Sequence, residues 1–164
     1  FAIPLVATNL GTDELPTAVT VNATNGIIAS EIIKTYSFTL DQPSAVHFLA
    51  AISVSIYDIN GFLLTDRINR IYRCAFNFTL APSGVTINTP FARSGYSYTN
   101  GNSNAYSGSM YLQPEDYQVL PKGSYTVQLI GYVVGSTFNG TISSVRGTFG
   151  EGGSDMVNIT AIIL

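Results

Sequence analysis

A catalytic centre needs a nucleophile, a base or a metal, and this chain offers few residues for any of them. His47 is its one histidine and Cys74 its one cysteine. A Ser-His-Asp triad holds its imidazole between a nucleophile and an acid. No Gly-x-Ser-x-Gly elbow occurs, and nothing in the spacing places partners beside His47, so a surface or interface histidine is expected. Cys74 runs in phase with Tyr72 and Phe76. A thiol on such an apolar face behaves as a small hydrophobe, whereas a nucleophilic thiolate needs electropositive, partly exposed surroundings. One Cys and one His cannot make a structural zinc site. Asp58-Ile-Asn60-Gly61 opens like a calcium loop, but Asn69 stands where an EF-hand needs its bidentate Glu. Glu151-Gly-Gly-Ser-Asp155 reads as a turn rather than a cation loop. The remaining acids are scattered, and no spacing selects the carboxyl pair, about 5–10 Å apart, of a glycosidase. Arg67, Arg70 and Arg73 recur every third residue, which on a strand is no common face, so a solvated edge is expected. The expectation is a protein without catalytic residues, metal or cofactor.

Two other groups of residues suit contact with partners. The segment 94–109 is rich in Tyr, Asn, Ser and Gly, the composition of binding loops, in which Tyr supplies contact area and the small polar residues adaptable hydrogen bonds. Tyr96, Tyr98, Asn100 and Tyr106 are its candidate contacts. Asn22, Asn77, Asn139 and Asn158 each begin an Asn-x-Ser/Thr sequon, making them candidate glycan acceptors. Asn77 and Asn158 are expected to point outward, since each alternates with apolar residues. The first residue is Phe, which suggests removal of a signal peptide and a secreted, extracellular or cell-surface location.

The elements that must carry these residues have a period of two. Val46, Phe48, Ala50, Ile52, Val54 and Ile56 alternate with His47, Leu49, Ala51, Ser53 and Ser55, as a strand with one buried face requires. The same alternation runs through Tyr36–Leu40, Tyr72–Leu80, Tyr125–Leu129 and Val157–Ile163, so the even-numbered residues of 46–56 and 72–80 are expected in the core. Turn signals recur at Gln42-Pro43, Asn60-Gly61, Pro82-Ser-Gly84 and Pro121-Lys-Gly123. No sustained i, i+3, i+4 pattern occurs. Many short strands with regular turns predict an all-β, antiparallel β-sandwich of jelly-roll type.

Composition narrows the partners. Only 17 of 164 residues are charged (7 Lys+Arg, 10 Asp+Glu), about 10% against roughly 25% in an average domain. A net charge of −3 and a pI near 4.8, with no basic cluster, argue against nucleic acid. No apolar run reaches the roughly 20 residues of a membrane-spanning helix. Residues 17–164 are expected to form one β-sandwich domain. Residues 1–16 are expected to be an extended strand, apolar at Phe1, Ile3, Leu5 and Val6, with a linker from Gly11 to Pro16.

An apolar N-terminal strand, sequons and low charge on a β-sandwich resemble extracellular filament subunits of the archaeal thread or bundling-pilus type. In that family the strand of one subunit completes the sheet of the next. The resemblance implies a structural subunit of a filament or surface appendage, with Phe1, Ile3, Leu5 and Val6 donated head-to-tail and the chain its own partner. The apolar C-terminal strand, Asn158-Ile-Thr-Ala-Ile-Ile-Leu164, resembles instead the trimeric C1q/TNF-like jelly rolls. That resemblance implies an oligomeric module binding protein or carbohydrate through 94–109.

Overall fold

Alternation of apolar and polar side chains is realised in eleven strands in the computed structural model, which describes residues 2–9, 19–23, 28–57, 69–99, 108–135 and 145–164. These are β1 (Ala2–Asn9), β2 (Val19–Ala23), β3 (Ile28–Leu40), β4 (Ser44–Tyr57), β5 (Asn69–Leu80), β6 (Phe91–Thr99), β7 (Gly108–Leu112), β8 (Glu115–Leu120), β9 (Gly123–Gly135), β10 (Val145–Phe149) and β11 (Met156–Ile163). The described residues contain no helix. All pairings are antiparallel, and they form two sheets, as the period predicts.

The first sheet is organised around β4. On one side of it lie β11 and then β10, extended outward by β1 and β2; on the other lie β8 and then β7. Each flanking line is thus a single strand with an interruption. Gln113-Pro114 breaks the β7–β8 line, and the Pro114 carbonyl accepts from Ala50 N at 3.0 Å. Residues 150–155 break the β10–β11 line opposite Ile52 and Ser53. The second sheet runs β3-β9-β5-β6. Chain crossings between the sheets occur at the proline turns the sequence marks, Asp41–Pro43 and Pro121-Lys122.

The core lies between the sheets. Val46, Phe48, Ala50, Ile52, Val54 and Ile56 are all buried, as are Tyr72, Cys74, Phe76 and Phe78. Burial pushes the Cys74 thiol far up, which fits its expected role as an inert hydrophobe. Two glycines let the sheets approach. A Cβ on Gly131 would lie 2.9 Å from the Phe149 ring, and one on Gly147 would lie 2.9 Å from Val133 and 3.0 Å from the Tyr72 ring. Large residues of each sheet therefore nest over a glycine of the other. Gly147→Ala overfills this contact and is expected to cost about 1–3 kcal/mol, read from urea unfolding.

Three expectations are corrected. Leu80 is 52% exposed rather than buried, because the register slips between Phe78 and Leu80 and turns Leu80 to the outer face opposite Thr126. Asn77 lies on the outer side of β5 opposite Gln128 but is buried there rather than exposed. Residues 81–90 fold back beside it, with Asn88 N donating to the Phe78 carbonyl at 2.7 Å. Arg70 is fully buried rather than at a solvated edge, in phase with buried Tyr72 and Cys74 on the core side of β5.

Within the single chain, β1 pairs with its own β11, with a bulge at Leu5 that follows exposed Pro4. Leu5 and Val6 pack partly against the core, and Ile3 and Leu5 line a groove with Leu40, Ala161 and Ile163. Phe1 and the whole linker from Gly11 to Pro16 lie outside the described residues, as does the Asn60-Gly61 signal.

Candidate functional site

The residues of β4 that alternate with the core form the middle of an outer face: Ala45, His47, Leu49, Ala51, Ser53 and Ser55. Register sets what stands beside them. At one end Val119, Ala45 and Ile162 lie in a row across β8, β4 and β11, and the next row is Tyr117, His47 and Thr160. Val119 is 72%, Tyr117 62% and Ile162 45% exposed. The imidazole of His47 stacks on the Tyr117 ring, centroids 4.2 Å apart at 9°, and its Nε2 lies 2.6 Å from Glu115 Oε2. Among the described residues the His47–Glu115 pair at this end is thus self-contained, and an apolar corner lies around it.

At the other end, residues 150–155 fold over β4 and are fastened by Asp155. Its Oδ1 accepts from Ser53 N at 3.1 Å and its Oδ2 from Ser53 Oγ at 2.9 Å. Gly152 N donates to Ser53 Oγ at 2.7 Å and Gly150 N to the Ser53 carbonyl at 2.9 Å. Glu151 Oε2 accepts from Ser55 Oγ at 3.1 Å. The segment is the turn expected from Glu151-Gly-Gly-Ser-Asp155. Together with Ser109 and half-exposed Tyr111 it encloses an open hollow of about 250 Å³.

Desolvation raises the Asp155 carboxyl above its ordinary value, against the opposing pull of the hydrogen bonds from Ser53 and Gly152. A raised folded-state pKa favours the protonated acid on folding. That contribution is complete below the unfolded value near 3.9 and is lost as pH rises through the folded value. The unfolding free energy of the wild type minus that of Asp155→Asn is therefore expected to fall as pH rises from about 4 through the raised folded-state value, measured by urea titrations of both proteins across pH. A flat difference would contradict the assignment.

The structure does not bring the sequence-selected residues together. Ile3, Leu5 and Val6 lie on β1; Asn22 is exposed on β2; Asn158 is half-buried on β11. Tyr96 and Tyr98 are corrected from loop to strand: β6 continues to Thr99 and pairs with β5, Tyr96 opposite Tyr72 and Tyr98 opposite Arg70. Asn100, Tyr106 and Asn139 lie outside the described residues. Sequence reasoning missed Tyr117 and Val119, although their alternation out of phase with buried Leu120 was a signal. It also missed the bond between Ser53 and Asp155, 102 residues apart. His47 and Ser53 stand six residues apart along one strand face, roughly 20 Å, so they form no dyad. Among the described residues no group of three His, Cys, Asp or Glu could hold a metal, and no helix is long and apolar enough to cross a membrane.

Neither a family model nor a curated protein matches the chain. Among solved structures it is similar to that of infectious bursal disease virus, Gx strain, at TM-score 0.50 and 5% identity, over 99% of this chain and 31% of that one. It also aligns with Eiger TNF from S. frugiperda (TM-score 0.42, 6% identity, 89% of this chain and 93% of that one). A CocE/NonD family hydrolase from Staphylococcus aureus aligns at TM-score 0.36 and 11% identity, over 98% and 36%. The chain spans about a third of the length of the first of these. At such identities the likeness concerns architecture, and that architecture is an antiparallel β-sandwich of the jelly-roll class.

Proposed function

We propose that the chain is a non-catalytic jelly-roll module of an extracellular assembly and that it associates with copies of itself through the outer face of the first sheet. The observation that carries this is the apolar corner formed by Tyr117 and Val119 of β8 and Ile162 of β11, on either side of Ala45 of β4. Contiguous exposed apolar surface marks interaction sites on soluble proteins. The Glu115 carboxylate among these residues already has a hydrogen-bond partner in His47 Nε2, 2.6 Å away, so covering the corner does not leave it without one. A chain with so few charged residues also suits burial of much of its surface. Sedimentation of the wild type and of Val119→Lys tests the reading. The wild type is expected to form a defined oligomer, and Val119→Lys to sediment as a folded monomer. A monomeric wild type, or an unchanged oligomer in the variant, defeats it.

Head-to-tail donation of β1 is the other mode of self-association. It is supported by the position of β1 at the sheet edge, where among the described residues it pairs with β11 alone, since a neighbour's strand could form the same ladder. Deleting residues 1–10 separates the two modes: assembly through the outer face survives the deletion, and donation does not. Ligand display is a second reading, favoured by the hollow at Tyr111. An exposed aromatic ring beside Ser55, Ser109 and Glu151 suits the vicinal hydroxyls of a saccharide. An oligosaccharide array probed with wild type and Glu151→Gln tests it, with binding expected only for the wild type.

A further inference from the structure

The outer face of the second sheet carries a separate depression of about 180 Å³, lined by Ile28, Arg73, Ala75, Pro90, Arg93 and Tyr132. The backbone is shaped to bring its two arginines together. β5 and β6 pair regularly as far as Cys74 opposite Ser94, and then Phe76 pairs with Phe91, leaving Ala92 and Arg93 opposite Ala75. Ala92 adopts φ 53°, a left-handed conformation unusual for a residue with a side chain. Bulges of this kind re-aim side chains, and local strain of this kind concentrates at binding sites. Arg93 Nη2 donates to the Pro90 carbonyl at 3.4 Å. Opposite Arg73 stands Gly95, where a Cβ would lie 3.6 Å from Arg73 Nε, so the missing side chain leaves the guanidinium room.

The charge here runs against that of the whole molecule. The chain has a net charge of −3 and seven cationic residues, yet two of the seven flank this one hollow. Neither Arg73 nor Arg93 pairs with a carboxylate among the described residues. The hollow is also apolar: Ala75 is buried in its floor and Ile28 is 62% exposed at its rim. Burial, and secondarily Cys74, push the Tyr132 phenol up while both arginines pull it down, so its hydroxyl remains a donor within their field.

We propose that this depression binds a small organic carboxylate, with Arg73 and Arg93 bridging the carboxylate, Tyr132 donating to it, and the apolar body of the ligand lying over Ile28, Ala75 and Pro90. Guanidinium forks match carboxylate geometry. An inorganic anion would leave the apolar rim unused, and a polyanion would need more than two cations. The hollow is smaller than the roughly 300–1,000 Å³ of drug-sized sites, which points to a short-chain or single-ring acid.

Benzoate titrated into the full-length protein, followed by NMR at the Ile28 and Ala75 methyl groups, tests the site. Saturable shifts are expected, with benzoate binding at least about tenfold more tightly than benzyl alcohol or sulfate, a difference of about 1.4 kcal/mol. Arg73→Gln and Arg93→Gln should each weaken benzoate at least about tenfold, while Arg73→Lys retains part of the affinity. Arg93 is exposed, so Arg93→Gln is expected to fold and decides the matter should Arg73→Gln fail to. Equal binding of benzoate and benzyl alcohol, equal binding of sulfate, or unchanged affinity in folded Arg93→Gln overturns the proposal. So does the absence of a saturable shift at about 10 mM benzoate, tenfold above a millimolar Kd. The site lies on the sheet opposite the self-association face, so either proposal can fail alone.

Discussion

Val54→Asp leaves the chain unfolded at neutral pH. Val54 is fully buried on the core face of β4, opposite Phe149 of β10 on one side and Met110 of β7 on the other. Losing the buried valine removes about 1.5–3 kcal/mol of transfer free energy. The carboxylate then sits between two sheets with no cation in register, and an unpaired buried ion costs several kcal/mol more even after relaxation. The sum approaches or exceeds the roughly 5–15 kcal/mol that holds a domain folded. Ala51→Asp is the control. Ala51 lies on the opposite face of the same strand, three residues away and half-buried opposite Met156, and it should cost only about 1 kcal/mol. Far-UV circular dichroism and thermal melting of the two variants measure the contrast. A cooperative Val54→Asp transition near the wild-type temperature would mean that the faces of β4 are the reverse of those described.

That contrast was legible in the sequence, because along β4 every second residue is apolar and the strand keeps its register through the core. Legibility ended where a local event changed the phase. The slip after Phe78 carries Leu80 from the inner to the outer face without any sign in residue type, and the bulge opposite Ala75 does the same for Arg93. Alternation also assigns a residue to a face without saying what covers that face. Asn77 belongs to the outer side by phase, yet it is buried where residues 81–90 return along β5. The candidate sites depend on pairing more than on phase. Tyr117 meets His47, Ser53 meets Asp155, and Arg73 and Arg93 line one hollow only because particular strands lie side by side, and strand order leaves no periodic trace in a single sequence. The gap in the β10–β11 line is the nearest to a legible site feature, since Gly150, Gly152 and Gly153 announce a turn there; that Asp155 would fasten it could not be read from them.

Phe48→Ala is expected to cost about 3–5 kcal/mol, at the upper end of single-residue core truncations. The reason is where the ring sits. Phe48 comes from β4 of the first sheet, while its aromatic neighbours all come from the second: Phe38 of β3, Phe76 and Phe78 of β5, and Phe91 of β6. The Phe78 and Phe91 rings meet it edge-on, at 81° and 80° with centroids 5.7 and 5.0 Å away, and Phe76 and Phe38 are tilted at 5.5 and 6.3 Å. Edge-on pairs add about 0.5–1.5 kcal/mol each beyond buried area, although pairs that share one ring do not sum. The second-sheet rings also contact one another, Phe78 with Phe91 at 4.8 Å and Phe38 with Tyr125 at 5.1 Å. Their own packing therefore resists collapse into the space Phe48 leaves, and a residual cavity is what makes such truncations costly. Phe38→Ala, at the rim of the cluster with slight exposure, should cost less. Urea unfolding of the two single variants gives the ranking, and a Phe48/Phe78 double-mutant cycle should show coupling of about 0.5–1.5 kcal/mol. A Phe48→Ala cost below that of Phe38→Ala, or no coupling to Phe78, would mean that the sheets are held together elsewhere.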